Sequence, residues 1–217
     1  MSLLRFFVGP ELSQEQKRRL AAWKNLPEEI GRIVVVDVET TGLDPTRDAL
    51  ISIGAVAVEE GRIALGQSFS VVLRQKDASS KANILVHGIT GETQRQGLPP
   101  ADALLDFLEY LGKSPLVAFH VAFDETSIRR AMKEYLGLNF RHRWLDLAYV
   151  LPALMPNLNL KTLDDWVQYF SIVIEERHNA LCDALATAEL LLIAGKDVSY
   201  DRMRSIARAG SGEVLRL

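Results

Sequence analysis

The sequence predicts an α/β domain, and three observations carry that prediction. A run of β-branched residues, Ile33-Val34-Val35-Val36, has the character of a buried strand. In the second half, apolar segments of strand length alternate with helical patterns. The 217 residues are 48% hydrophobic, enough to close one substantial core. The net charge of −3 argues against a general polyanion coat, so a polyanion would have to meet a local basic patch or bound metal.

Residues 3–8 are apolar but short, Gly9-Pro10 breaks them, and no cleavage-site pattern follows. Residues 11–26 read as a helix. Ser13 and Gln16 fit a capping box, Leu12, Gln16, Leu20 and Trp23 recur at helical spacing, and Pro27 stops the run. The pattern favours a helix packed back on the domain over a partner-binding arm. Cys182 is the sole cysteine, which excludes an intrachain disulfide and points to a reducing compartment. The expectation is a soluble, cytoplasmic protein with no membrane partner.

The segment 33–43, I-V-V-V-D-V-E-T-T-G-L, carries Asp37 and Glu39 into the end of the first strand. Residues two apart on a strand share a face, so both acids project to one side. Their repulsion and desolvation would be relieved by a divalent cation between them. D-x-E alone equally suits a solvated strand end. Residues 49–59 and 63–73, divided by Glu60-Gly61-Arg62, read as a hairpin. Residues 74–83 are polar and turn-like, and 84–90 are apolar on both sides of His87-Gly88.

Pro99 and Pro100 introduce a helix whose Leu104, Leu105, Leu108 and Leu111 share a face, ending at Gly112. Residues 115–120 read as a buried strand, 123–136 as a helix ending at Gly137, and 143–145 as a short strand. A helix spans 162–170, and a final long one runs from about Asn179 to Ala194, with Gly195 as its cap. The tail from Lys196 is polar, with Gly210 and Gly212, and is expected to be loosely attached. No repeat or long linker divides the chain. The expected organisation is an N-terminal helical extension (1–30), one catalytic domain (31–195) and a C-terminal tail (196–217).

Three acidic constellations emerge from this layout. The first is Asp37 with Glu39. The second is Asp124, where strand 115–120 turns into its helix. The third is His178 with Asp183, at the start of the last helix. Asp183 lies between a small-residue side (Ala180, Ala184, Ala186, Ala188) and an apolar stripe (Leu181, Leu185, Leu192), so it is not fully solvated and needs a partner. Taken singly, it also fits a structural acid bonded to a backbone amide. Together, four carboxylates suit a pair of hard divalent cations about 4 Å apart that promote in-line phosphoryl displacement. A neighbouring histidine can accept the proton of the attacking water.

D-V-E-T-T-G, V-H-G-I-T, F-D after an apolar strand and H-N-A-L-C-D-A in a late helix resemble, in order and spacing, the DEDDh 3′→5′ exonucleases. That group includes the proofreading epsilon subunit of bacterial DNA polymerase III. The resemblance runs from about Ile33 to Ala194. It implies a ribonuclease H-like fold, a mixed five-stranded sheet with its second strand antiparallel, flanked by helices. It implies two Mg²⁺ or Mn²⁺ ions, with Asp37 bridging both, Glu39 and Asp183 on the nucleophile side, and Asp124 on the other ion. His178 would be the general base, Thr40 and Thr41 would hold the terminal nucleotide, Leu43 would wedge against its base, and His87 would line the same pocket. The substrate implied is a single-stranded 3′ end, DNA in preference to RNA, with a polymerase III catalytic subunit as a possible partner. An RNA exonuclease of the RNase T and oligoribonuclease type, and a non-catalytic polymerase-assembly subunit, are the competing readings.

The chain departs from the family at Phe119-His120, where members often carry His-Asn, which puts specificity and rate in question before activity. Candidates for holding the phosphate chain are Arg129, Arg130, Lys133, Arg141, His142, Arg143 and Arg177.

Overall fold

The computed structural model describes residues 10–196 and 198–210. The apolar stretch 3–8 and the last part of the tail, 211–217, lie outside the described residues. Among the described residues, six strands form one sheet: β1 (Arg32–Thr40), β2 (Leu50–Glu59), β3 (Arg62–Ile63), β4 (Phe69–Val72), β5 (Leu116–Ala118) and β6 (Trp144–Asp146). Its order is β3-β2-β1-β5-β6, with β4 also on β2. Because β3 pairs with Val58–Glu59 and β4 with Ser52–Ala55, the two share one position beside β2. The result is the mixed, five-position, ribonuclease H-like sheet expected, antiparallel between β1 and β2 and parallel from β1 through β5 to β6.

The second arm of the expected hairpin is broken. Leu65–Gln67 form a turn of 3-10 helix, Ser68 Oγ donates to Leu65 O at 2.7 Å, and Leu73, whose N–H donates to Ile51 O of β2 at 2.7 Å, also bridges Leu98. Gly66 at the centre of that arm offers no side chain to pack, which weakens a strand there.

Helices cover both faces: α1 (Gln14–Lys24), α2 (Lys81–His87), α3 (Gly91–Gln96), α4 (Pro100–Leu111), α5 (Val121–Leu136), α6 (Leu147–Leu154), α7 (Leu163–Phe170), α8 (Ala180–Gly195) and α9 (Tyr200–Gly210). Alternation along β1 divides the core. Val34, Val36 and Val38 pack with residues of α1, α4 and α5, whereas Val35 packs on the opposite face with residues of α6 to α9. Asp37 and Glu39 therefore fall on the face of Val35, toward α8.

At the N-terminus, both bonds of the Ser13–Gln16 capping box are present. Leu20 and Trp23 are buried, Trp23 Nε1 donates to Gly112 O at 2.7 Å, and Arg19 pairs with Asp106 and Glu109 of α4. At the other end the structure corrects the sequence reading. Residues 200–210 are not a loose tail but α9, packed on α6 with Met203 and Ala207 buried. Average polarity concealed the stripe Tyr200, Met203, Ala207, whose helical spacing gives a charged segment one apolar face. Residues 81–83, read as turn, begin α2, capped by the Ser80 hydroxyl.

Candidate active site

β1 ends at the centre of the sheet, and the site is built around its last residues. Asp37 pairs across the ladder with Gly54, and Glu39 with Ser52. Gly54 is a point of close approach: a Cβ there would lie 2.2 Å from the carbonyl carbon of Ala180 and from the nitrogen of Leu181. The first turn of α8 thus rests directly on the backbone of β2. Asn179 starts that helix, its side chain accepting from the N–H groups of Leu181 (3.1 Å) and Cys182 (3.3 Å). Asp183 follows as the fourth helical residue and is buried.

Asp124 is likewise the fourth residue of its helix, α5, and is buried. Both acids sit where a helix N-terminus favours negative charge. One oxygen from each of Asp37, Glu39 and Asp183 lies within 4.8 Å of the others. Asp124 stands beside this trio rather than within it, and after burial its charge is the strongest influence raising the pKa of Asp37.

The electrostatics are those of an under-compensated anionic cluster. Burial, then the charges of Asp124, Asp183 and Glu39, hold the Asp37 carboxyl well above the ordinary range. Burial and the charge of Asp183 push Glu39 up to about 8, with Arg177 opposing. Burial raises Asp124 too, with Asp146 and Glu39 adding to the shift and backbone hydrogen bonds opposing it. An all-oxygen donor set in this state fits hard divalent cations, whose charge would relieve the repulsion.

Asp37, Glu39 and Asp183 open into a cleft of about 280 Å³ that is also lined by Phe119, His120, Thr162, Leu163, Arg177 and His178, and that Asp124 does not line. His178 is exposed at its mouth, with a left-handed backbone (φ 59°), and its N–H donates to Asp183 Oδ2 at 3.1 Å. Arg177 reaches Asp183 from the same turn and also bonds Asp164.

His120, the residue that departs from the family pattern, is also left-handed (φ 65°). Asp146 holds it there. Its carboxylate accepts from the N–H groups of His120 (3.1 Å), Val121 (3.0 Å) and Ala148 (2.9 Å). This clamp joins the ends of β5 and β6 and fixes the start of the helix that carries Asp124. Sequence reasoning missed Asp146, although an aspartate directly ahead of a helix is an N-cap signal.

The expected nucleotide seat is more varied. Leu43 is 92% exposed in the turn that follows β1. Thr40 is buried and donates to Gly42 O at 2.5 Å, while Thr41 Oγ1 accepts from Ala49 N–H at 2.9 Å, so both hydroxyls shape the turn. Asn83 Nδ2 donates to Thr40 O at 2.6 Å and ties α2 to this turn. His87 differs from expectation. It is buried, its Nδ1 accepts from Ile89 N–H at 2.9 Å and its Nε2 lies 3.4 Å from Ser79 Oγ, so its ring is engaged within its own loop and not in the acidic cleft.

Several basic candidates have structural partners. Arg130 donates to the carbonyls of Arg47 and Asp48, His142 donates to Ser114 O at 2.6 Å, and Arg143 pairs with Glu28 at 2.8 Å. Arg129, Lys133 and Arg141 are exposed and do not line the cleft, whereas Arg177 does.

Residues 34–191 match a family model described as Exonuclease. The chain is 31% identical over 159 residues to the PolC-type DNA polymerase III of Thermotoga petrophila, a match covering 73% of this chain and 11% of that protein. It therefore spans about a tenth of the length of that relative. It is 30% identical over 163 residues to the DNA polymerase III subunit epsilon of Aquifex aeolicus, covering 75% of this chain and 79% of that one. In fold it is similar to E. coli exonuclease I in complex with a dA16 oligonucleotide, with a TM-score of 0.68 at 16% identity, covering 81% of this chain and 42% of that chain.

Proposed function

This chain belongs to the exonuclease family, and from that premise we propose that it removes nucleoside 5′-monophosphates from the 3′ end of single-stranded DNA, in proofreading or repair. The observation that carries the proposal is the convergence of Asp37, Glu39 and Asp183 within 4.8 Å, with Asp124 beside them and His178 at the mouth of the cleft. Asp37 would be shared by two Mg²⁺ or Mn²⁺ ions, Glu39 and Asp183 would serve one, and Asp124 the other. When bound, such ions supply Lewis acidity to phosphoryl oxygens and lower the pKa of water.

His178 accepts a proton from the attacking water as its oxygen bonds to phosphorus and the bond from phosphorus to the 3′ oxygen of the penultimate nucleotide breaks. Solvent then protonates the released 3′ oxygen. The left-handed turn at His178, held by the bond from its N–H to Asp183, keeps this residue on the lining of the cleft. The turn of Thr40 and Thr41 supports the terminal nucleotide, and exposed Leu43 packs against its base. Among the described residues no helix is long and apolar enough to cross a membrane. The polymerase III names of the relatives support work in the cytoplasm beside a polymerase catalytic subunit.

The test is digestion of 3′-labelled DNA and RNA oligonucleotides, competing in one assay, with Mg²⁺, Mn²⁺ or chelator. Ion-dependent release of 5′-mononucleotides, faster from DNA, is expected. No digestion with any ion would overturn the enzymatic reading, and preferential loss of RNA would replace the substrate.

A further inference from the structure

Arg177 is held by two carboxylates of different character. Its Nε donates to Asp164 Oδ1 at 2.6 Å, and its Nη1 pairs with Asp183. The Asp183 side chain is 7% exposed and belongs to the acidic trio, whereas the Asp164 side chain is 65% exposed on the rim. We propose that Arg177 competes with a divalent ion for Asp183, neutralising that carboxylate in the ion-free protein and turning to a nucleic-acid phosphate once an ion is bound. The proposal rests on the reading of the cleft as an ion-dependent nuclease site and adds to it the residue that exchanges one anion for another.

Three features support the exchange. First, the Asp183 oxygens are divided between Arg177 on Oδ1 and the His178 N–H on Oδ2, so an ion joining the trio must share an oxygen with one of these donors. A cation arriving there repels the guanidinium at close range. Second, Asp164 lies outside the trio, in the first turn of α7, whose start is fixed by the Thr162–Asp165 capping box. That second bond keeps the guanidinium at the cleft rim after Asp183 is lost. Third, a guanidinium carries five N–H donors, and release from Asp183 frees its fork for two phosphate oxygens. A chain of net charge −3 needs such a local cation, and Arg130, His142 and Arg143 are already bound to other parts of the fold.

Calorimetric titration of the metal-free chain with Mn²⁺, and of a single-stranded DNA oligonucleotide into the chain with Ca²⁺, provides the test for wild type, Arg177→Gln and Asp164→Asn. Arg177→Gln is expected to bind Mn²⁺ more tightly and the oligonucleotide about tenfold more weakly, the scale of one charge-assisted hydrogen bond. In turnover, its KM for DNA rises more than its kcat falls. Asp164→Asn, at an exposed position, weakens oligonucleotide binding with Mn²⁺ affinity at or below that of wild type. A purely structural role predicts the opposite sign for Arg177→Gln, with weaker Mn²⁺ binding. That result, or unchanged oligonucleotide affinity, overturns the proposal. Should Arg177→Gln not fold, unchanged oligonucleotide affinity in Asp164→Asn does the same. Wild type that binds no more Mn²⁺ than Asp37→Ala removes the ion site itself, and the proposal with it.

Discussion

Asp37 faces Gly54 across the β1–β2 ladder, and the space a side chain at 54 would fill is taken by the backbone of Ala180 and Leu181. A glycine on one strand thereby sets how near the helix bearing Asp183 comes to the acids of the neighbouring strand.

Gly54→Ala should therefore damage both stability and ion binding. The added methyl meets backbone atoms at 2.2 Å, which cannot rotate away, so α8 must shift. Overpacking of this kind costs about 1–3 kcal/mol. Urea denaturation should show that loss and Mn²⁺ titration a weaker site. Wild-type behaviour in both would mean that α8 is not held by this contact.

The metal-free protein should lose stability as pH rises. Glu39 titrates near 4.5 when unperturbed and is pushed to about 8 in the fold by burial and by Asp183. Between those values the folded state keeps a proton that the unfolded chain releases. The contribution is thus fully present below about pH 4.5 and is lost as pH rises through about 8. Asp37 and Asp124, also raised, act in the same direction. Melting in chelator should fall from pH 5 to pH 8, and Mg²⁺ should offset the fall most strongly at the higher pH, because ion binding displaces those protons. A chelated melting temperature that climbs over this range would contradict the raised carboxylates.

Asp37→Ala and His178→Ala should separate ion binding from proton transfer. The first removes a donor from the trio and should abolish Mn²⁺ binding and digestion together. The second should leave Mn²⁺ binding close to wild type while kcat falls about 10²- to 10⁴-fold, the usual worth of a positioned base. Equal loss of ion affinity in both variants would assign His178 to the ion rather than to the water.

Asp146 lies outside the acidic trio, yet Asp146→Ala should be costly. Three N–H groups would lose their acceptor, those of Val121 and Ala148 partly buried, and a fully buried unsatisfied donor costs about 1–3 kcal/mol, which is the upper bound for each of these two. The left-handed turn at His120 and the start of α5 should loosen, displacing Asp124. Hydrogen exchange at Val121 and Ala148 reports the effect directly, and unaltered protection there would refute the clamp.

Trp23→Ala tests whether α1 is part of the fold. The indole is buried, bonds Gly112 O and carries the Lys113 ammonium 3.6 Å from its ring centroid. Large-to-small replacement of such a side chain costs about 3–5 kcal/mol. Chemical denaturation with a loss well under 1 kcal/mol would make the helix a loosely attached extension.

Much of the scaffold was legible because its signals are local. Ser13 with Gln16, Pro99-Pro100 with Gly112, and Gly137 mark helix ends through capping chemistry that needs no tertiary context. The face shared by Asp37 and Glu39 follows from strand alternation alone. Part of what escaped depends on partners far away in sequence. Arg130 looked available for phosphate until the carbonyls of Arg47 and Asp48, more than eighty residues earlier, proved to hold it. His87 looked like a pocket residue through the family resemblance of V-H-G-I-T, and its helix does reach the turn at Thr40 through Asn83, but its own ring is engaged by Ile89 N–H and Ser79. Asp146 and the buried side of α9 carried local signals, an N-cap aspartate and a helically spaced apolar stripe, but what they hold together is set by partners elsewhere in the chain.

Asp124 and Asp183 each occupy the fourth position of a helix, one after the turn at His120 and the other after Asn179. Successive residues on an α-helix are rotated by about 100°. One residue inserted or deleted between either helix start and its acid would swing that carboxylate to another face while leaving the helix intact. The site thus tolerates almost no change of length in these two turns. Indels compatible with the acid cluster belong elsewhere, in connections such as the loop between β3 and β4, where register is already broken.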